Sequence, residues 1–431
     1  MDYKESLSYL ESLNVFGSKL GLSRIERLTE LLGYPERRYR TVHVTGTNGK
    51  GSVSAMTAAI LTESGFRTGL YTSPHLISYT ERFVIDGEQA SEADFAAAIS
   101  AAKEAAEAML AEGLEQPTEF EVLTAAAFYY FAEKHVDYAV IEVGLGGLLD
   151  STNVIIPEVA VITNVAMEHA DRCGGTLEGV AHHKAGIIKQ GVPVVTAAEG
   201  MTLDVVRRKA AEEGSEIFAY GEDFRAAAGA EGIDFSSKDG GAAHYALALG
   251  GAYQRQNAAL AIRTAMLLAE KHSTVTHETI ARALKSVAWP GRFERFALEG
   301  VRIVVDGAHN PAGAAALKES LDATFAGEKR VLLLGILEDK DYRAMLRTLV
   351  RADDRVVITP PASSRAGDPE NLARVAREIT QEVEIVPAAD AALSRALDRA
   401  TGRRILCAAG SLYLIGNLRR LLLERGAHHD G

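Results

Sequence analysis

The chain is short of cysteine, of positive charge and of long apolar runs, and each shortage excludes a class of protein. Its two cysteines, Cys173 and Cys407, lie far apart without metal-ligand spacing, so a disulfide framework is excluded. Lysine and arginine number 46 against 58 aspartates and glutamates, a formal charge of −12. That balance argues against a general nucleic-acid-binding surface and leaves a local basic pocket for an anionic small molecule. No apolar run approaches the roughly 18 residues of a membrane span. Met1–Leu10 is charged and polar, without the apolar core of a signal peptide. These shortages point to a reducing cytoplasm and to partners that are neither nucleic acid nor membrane.

What remains is ordinary globular composition, 47% apolar and 24% charged, spread over 431 residues. At about 150 residues per domain this length predicts two or three domains. Apolar β-rich runs occur at Thr41–Thr45, Thr68–Thr72, Val136–Val143, Val159–Val165 and Val192–Thr196, separated by helical patterns such as Glu92–Glu112 and Phe120–His135. Strands that alternate with helices and are continuously apolar predict a parallel sheet covered on both faces. In such a sheet ligands bind beyond the carboxyl ends of the strands, and there the sequence places Gly46–Lys50, Ser73-Pro74-His75, Glu142 and 164–169. A second series follows Trp289-Pro290-Gly291-Arg292, at Val301–Val305, Arg330–Leu334, Arg355–Ile358, Val383–Val386 and Arg404–Cys407. Turn chemistry at Trp-Pro-Gly sets the expected boundary, giving an α/β domain over 1–290 and a smaller one over 296–431. The Gly- and Asp-rich segment Gly221–Gly250 reads as hairpins or a loop excursion of the first domain.

The run Val42 to Ser52 reads as a strand, a glycine-rich turn and a helix starting near Ser52. Gly46, Thr47, Asn48, Gly49, Lys50, Gly51 and Ser52 then form a phosphate loop. The glycines let backbone N–H groups approach a polyphosphate, Lys50 supplies charge, and Ser52 supports phosphate or metal. The spacing is not the common G-x-x-x-x-G-K-S/T, because the glycines are three apart and Gly51 precedes Ser52. An ordinary βα turn is the alternative.

Taken together, GTNGKGS, TSPHL, EVGLGG with the following D-S-T-N, HKAGI, DGAHNP and GSLYL resemble folylpolyglutamate synthase and dihydrofolate synthase. That ATP-dependent family is related to the Mur ligases, and the resemblance runs in the family's order from Gly46 to Leu414. It implies an α/β fold with a Mur-ligase-like P-loop domain and a smaller Rossmann-like C-terminal domain.

Glu142 ends an apolar strand, where a buried carboxylate needs a cationic partner. With Ser73 it would supply oxygen ligands to Mg²⁺; a salt-bridged strand-end glutamate is the alternative. Thr176 reads as an N-cap, with Leu177, Val180, Ala181, Lys184 and Ile188 at helical spacing, so Lys184 falls on the apolar stripe. Spacing alone favours a snorkelling lysine. The resemblance implies instead a carbamylated Lys184 that helps to hold a second Mg²⁺, with His169 as a further ligand. Carbamylation needs the neutral amine, which burial favours. Two departures from the family are Glu168, where aspartate is expected, and Leu148, where many relatives have arginine.

Gln254 and Asn257 are three apart and share a helix face. The resemblance implies that Asn257, Arg292, Asp306 and His309 contact ATP, with the site between domains and closed by hinge motion; for Asp306 a turn or N-cap aspartate is the alternative. Thr118, Glu119, Phe120 and Glu121, with Leu149, Asp150 and Ser151, match the segments that line the family's pterin pocket. The implied reaction is attack of a substrate carboxylate on the γ-phosphate, giving an acyl phosphate and ADP. The α-amine of L-glutamate then attacks the acyl carbon and expels phosphate. Dihydropteroate or a reduced folate is the expected acceptor, ATP a substrate, two Mg²⁺ the cofactors, Lys50, Lys184 and His169 the catalytic groups, and the enzyme a monomer. A Mur ligase would carry a UDP-binding domain ahead of the phosphate loop, whereas only about 45 residues precede it here, too few for a domain. An ATP-hydrolysing switch protein is a further alternative, which Glu142, His169 and Lys184 argue against.

Overall fold

The structure is a computed structural model of the chain. It describes every residue except Asn14, Phe16, Ser18, His169, Ala230, Glu231, Arg403 and Gly431. The chain divides into two compact units, Met1–Leu247 with Gln256–Val287, and Ala248–Arg255 with Ala288–Gly431.

The first unit is built on β1 (Arg40–Thr45), β2 (Thr68–Tyr71), β3 (Phe83–Ile85), β4 (Glu88–Gln89), β5 (Tyr138–Glu142), β6 (Val159–Ile162), β7 (Val194–Thr196) and β8 (Ile217–Ala219). Among the described residues these form one sheet in the order β4-β3-β2-β5-β1-β6-β7-β8. It is parallel from β2 to β8 and antiparallel at the β3 and β4 edge. Strand β1 is central, and the chain turns to β2 and β5 on one side before crossing to β6 on the other. The loops after β1, β2, β5 and β6 therefore converge at the carboxyl edge.

Helices α1 (Tyr3–Leu13), α2 (Ser23–Leu31), α3 (Lys50–Glu63), α4 (Glu92–Ala111), α5 (Glu119–Glu133), α6 (Leu177–Ala185), α7 (Gly200–Glu212), α8 (Gln254–Ala269) and α9 (His277–Ser286) follow in order. The continuously apolar strands are buried on both sides: Tyr71, Ala139 and Ile141 pack with α1, α2, α4 and α5, while α3 lies against β1, β2 and β5 and under α9. Helix α3 is buried from Gly51 to Ala58 because layers cover it on both sides. Segment 221–250 is an antiparallel meander of β9 (Phe224–Gly229), β10 (Gly232–Ser237) and β11 (Ala242–Ala246), in agreement with the hairpin reading.

The second unit orders β16 (Val383–Ile385), β15 (Arg355–Ile358), β14 (Lys329–Leu334), β17 (Arg404–Ala409), β13 (Val301–Val305), β12 (Glu294–Leu298) and β18 (His428–His429) in one sheet. Its parallel part carries α10 (Pro311–Thr324), α11 (Tyr342–Leu349), α12 (Pro369–Arg377), α13 (Ala389–Ala400) and α14 (Leu412–Glu424).

Three details differ from the sequence expectations. Helix α3 starts at Lys50 rather than near Ser52, because Gly49, at φ +87°, completes the turn two residues earlier. Helix α6 ends at Ala185, short of Ile188. Residues 248–255 group with the second unit rather than with 1–290: Ala252 N donates to Ser320 Oγ (2.9 Å) and Tyr253 Oη to Asp306 Oδ2 (2.6 Å).

Candidate active site

The loop after β1 is shaped by the loop after β6. Thr47 N donates to Asn164 O (3.0 Å), Asn48 N to Asn164 Oδ1 (2.9 Å), and Thr163 Oγ1 to Asn48 O (2.6 Å). A β-carbon on Gly46 would lie 1.8 Å from Thr163 Oγ1, so only glycine fits there. One on Gly49 would lie 2.4 Å from Asn257 Oδ1, which places α8 directly over the loop. Lys50 folds back, its Nζ donating to Gly46 O (3.1 Å) and Thr47 O (3.3 Å). Gly51 and Ser52 are buried in the first turn of α3. A glycine-rich turn that ends at a helix N-terminus and carries a lysine has the chemistry to receive an anion.

Beside it, Glu142 closes β5 with only 4% of its surface exposed and accepts a hydrogen bond from Ser73 N at 3.2 Å. Strands β2 and β5 are neighbours, which brings the Ser73 hydroxyl and this carboxylate to one place. A buried carboxylate next to a hydroxyl suits a hard cation that takes its other ligands from water and phosphate. Among the described residues no three His, Cys, Asp or Glu side chains cluster as a ready-made metal site. His169, the expected ligand, lies outside the described residues.

Thr176 caps α6, its Oγ1 accepting from Gly179 N at 3.0 Å. The helix buries Lys184, which is 6% exposed. Desolvation first, and then the positive charge of Lys50, push its amine down to about 7; Glu168, Cys173 and Asp150 pull the other way. Lys50 and Asp150, both far from Lys184 in sequence, thus bear on its amine with opposite sign. A near-neutral buried amine is chemically suited to take up CO₂.

The loop 144–153 is held against α6. Leu148 N donates to His183 O (2.7 Å), and Asn153 Nδ2 donates to Leu148 O (2.9 Å) and Gly186 O (3.1 Å). Gly147 and Gly186 allow this approach: a β-carbon on Gly186 would lie 2.4 Å from Leu148 Cβ, and one on Gly147 2.7 Å from His183 O. Asp150 is buried and caps the turn Ser151–Val154, accepting from Leu145 N (2.7 Å), Thr152 N (3.0 Å) and Thr152 Oγ1 (2.6 Å). Desolvation raises its carboxyl pKa against the pull of those donors. Ser151 is buried in that turn, whereas Leu149 is exposed.

Thr118 and Glu121 form a capping box at the start of α5, with Glu121 Oε2 accepting from Thr118 N at 2.7 Å. Arg24 pairs with the same buried carboxylate through Nε (3.0 Å). Between them, Phe120 stacks on Tyr71 and lies over Gly144, where a β-carbon would fall 2.4 Å from the ring. Glu119 accepts from Tyr79 Oη (2.7 Å). Of these four residues Phe120 presents an aromatic face to the loop, while Thr118 and Glu121 are spent on the helix start.

In the second unit, Asp306 follows β13. Its Oδ2 accepts from Tyr253 Oη (2.6 Å) and Phe293 N (2.8 Å), and its Oδ1 from Ala308 N (2.8 Å). The helix N-cap is the neighbouring Asn310 instead. Arg292 lies across Gly307, where a β-carbon would fall 1.8 Å from its Nη1, and His309 Nδ1 is 2.8 Å from Gly307 O. Arg292, Asp306 and His309 therefore share one loop cluster. Sequence reasoning did not single out Thr163, Arg24 or Tyr79, and it quoted Thr152 only as part of D-S-T-N without giving it a role.

Comparison with known proteins gives the same family as the motifs. Residues 44–265 match the Mur ligase middle domain, and residues 291–412 the Mur ligase glutamate ligase domain. The folylpolyglutamate synthase of Lacticaseibacillus casei is 36% identical over 98% of this chain and 99% of its own length. The structure of Mycobacterium tuberculosis folylpolyglutamate synthase complexed with ADP superposes with a TM-score of 0.89 at 32% identity, covering 100% of both chains. That of Escherichia coli FolC in complex with DHPP and ADP gives 0.88 at 28% identity, covering 99% of this chain and 98% of the other. The chain belongs to the folylpolyglutamate synthase/dihydrofolate synthase family of the Mur ligase superfamily.

Proposed function

We propose that this protein ligates L-glutamate to a pteroyl or folyl carboxylate at the expense of ATP. The observation that carries the reading is the turn between β1 and α3, where Gly46 and Gly49 have no room for a β-carbon and Lys50 at the helix start folds its Nζ back onto Gly46 O and Thr47 O. The phosphate loop and Lys50 hold and neutralise the triphosphate, and the positioned acceptor carboxylate attacks the γ-phosphate. The resulting acyl phosphate is then open to the α-amine of glutamate, which expels inorganic phosphate. Positioning and charge neutralisation, rather than a general base, supply most of the rate.

Ser73 and Glu142 would hold one Mg²⁺; His169 and a carbamate on Lys184 would hold a second. Bound magnesium would offset the charge that builds on the phosphate oxygens. Lys184 takes up CO₂ in this reading because its amine is held near neutrality, and the carbamate turns a repelling cation into an anionic oxygen donor. Asn257, Arg292, Asp306 and His309 serve the nucleotide. Phe120, Leu149 and Asp150 serve the pterin end of the acceptor, while Thr118 and Glu121 hold Phe120 in place.

Both dihydropteroate and a reduced folate are accepted, since the Leu149-Asp150-Ser151 segment keeps its pattern although Leu148 replaces the expected arginine. The test is purified enzyme with ATP, Mg²⁺, glutamate and each acceptor, with products identified by mass. The expected products are dihydrofolate and a folate one glutamate longer. Tetrahydrofolate extension without any dihydrofolate would reduce the enzyme to a polyglutamate synthase, and ADP formation independent of glutamate would refute ligation.

A further inference from the structure

We propose that His43 is a positioning residue of the acceptor site: from inside β1 it fixes Thr152, and through Thr152 it sets the orientation of the Asp150 carboxylate. The inference rests on the reading of loop 144–153 as the acceptor's binding element.

A histidine in the central strand of a buried parallel sheet is an anomaly. Val42 and Val44 on either side are wholly buried, as is His43 itself. Its Nε2 lies 2.8 Å from Thr152 Oγ1, and the Thr152 hydroxyl lies 2.6 Å from Asp150 Oδ1. Three buried side chains thus run in series from the sheet interior to the one carboxylate of the loop.

The proton positions follow from the donors. Asp150 also accepts from two backbone N–H groups, Leu145 N and Thr152 N, so its carboxylate takes hydrogen bonds and gives none. The Thr152 hydroxyl must then donate to Asp150 and turn a lone pair to His43. His43 therefore carries its proton on Nε2. Its buried Nδ1, which has no hydrogen-bond partner, is left as a bare lone pair rather than an orphaned N–H. Burial, aided by the nearby Lys189 charge, pushes the imidazole down to about 3, so the ring stays neutral at working pH.

Holding the loop in place does not require this chain of bonds. The Leu148 N bond to His183 O and the Asn153 bonds to Leu148 O and Gly186 O already dock the loop on α6. An apolar residue at 43 would also escape the cost of burying an imidazole. What His43 and Thr152 add is a fixed rotation of the Asp150 carboxylate: both sites of Oδ1 are taken by Thr152, which leaves the open lone pair on Oδ2 for an N–H donor of the acceptor in one orientation.

The test compares His43→Leu, His43→Gln and Thr152→Val with wild type, reading KM for dihydropteroate, KM for ATP, kcat and melting temperature. Thr152→Val is nearly isosteric, so it carries the test if His43→Leu fails to fold. We expect the dihydropteroate KM to rise about tenfold in His43→Leu and in Thr152→Val, the loss of one well-placed hydrogen bond. The ATP KM should stay within about twofold. The double variant should be no worse than either single one, and His43→Gln, which keeps an N–H near the Nε2 position, should recover most of the loss. Additive effects, an equal rise in the ATP KM, or a change in melting temperature alone would overturn the role.

A second readout needs no turnover. Nitrogen-15 spectra of the histidine side chains should show His43 neutral with its proton on Nε2; a proton on Nδ1 would overturn the chain of bonds. Normal ligation in wild type with unchanged acceptor KM in both variants would sink this role alone. Absence of any acceptor-dependent turnover in wild type would sink the functional reading, and this role with it.

Discussion

Replacing Lys184 with methionine should make the protein more stable while destroying ligation. Methionine keeps the buried apolar stem but removes an amine that the fold holds at about 7 instead of the ordinary 10.5. Because the folded-state value is the lower one, the unfolded chain binds the extra proton, and the amine costs stability at every pH below 10.5. The cost is largest below pH 7, about 4 kcal/mol at pH 7, falls to about 1.5 kcal/mol at pH 9.5 and vanishes above the unfolded value. Urea denaturation of both proteins in metal-free, carbonate-free buffer checks this, since bound CO₂ would change the charge being weighed. The expected result is a variant markedly more stable at pH 7, with a lead that shrinks as pH rises. A lead that stays constant or widens with pH would mean that the ammonium is favourably paired in the fold, and the case for carbamylation would lose its physical basis. Ligation by the variant at near wild-type rate would refute the role of Lys184 directly.

Lys50→Ala should abolish ligation at saturating ATP with a melting temperature close to wild type, because the Lys50 side chain is half-buried and its Nζ bonds to Gly46 O and Thr47 O are only part-buried; full turnover would remove the phosphate-loop assignment. Gly49→Ala forces a side chain into a left-handed turn and onto the Asn257 amide; the strain of about 1–2 kcal/mol for the backbone alone should raise the ATP KM about tenfold or more, with little change in the acceptor KM measured at saturating ATP. Arg24→Met leaves the buried Glu121 carboxylate without its cation and should cost about 3 kcal/mol in denaturant unfolding, with Glu121→Gln added to the same chain recovering part of that loss; an unchanged unfolding midpoint would show that the capping box alone satisfies Glu121.

Much of this architecture was legible in sequence because a doubly covered parallel sheet writes itself as continuous apolar runs. The runs at Val301–Val305 and Arg355–Ile358 coincide with β13 and β15 residue for residue. Strands β3 and β8 went unread because each is an apolar run of only three residues, and β4, β12 and β18 because charged or polar residues occupy them. The tight turn after β1 was legible for another reason: close backbone approach demands glycine, and glycine at Gly46 and Gly49 leaves a mark that spacing detects. Asp150 and Glu121 show the limit. Their place in family motifs marked them as pocket residues, yet their carboxylates also cap a turn and a helix, and that double use follows from the folded positions of Leu145, Thr152 and Arg24. The Lys184 stripe was visible as periodicity, but its lowered pKa depends on burial and on Lys50, 134 positions away in sequence.

The docking of loop 144–153 on α6 has a consequence for how such enzymes can be recombined. Gly147 lies against His183 O and Gly186 against Leu148, neither with room for a β-carbon, and Leu148 N is bonded to His183 O beside them. Neither segment is a free-standing module. A chimera that imports a relative's loop alone, with a bulkier residue at either glycine, would push the helix carrying Lys184 off its seat. Importing loop and helix as one cassette keeps the mated surfaces together. The unit of exchange is therefore the stretch from Gly144 to Gly186, inherited whole.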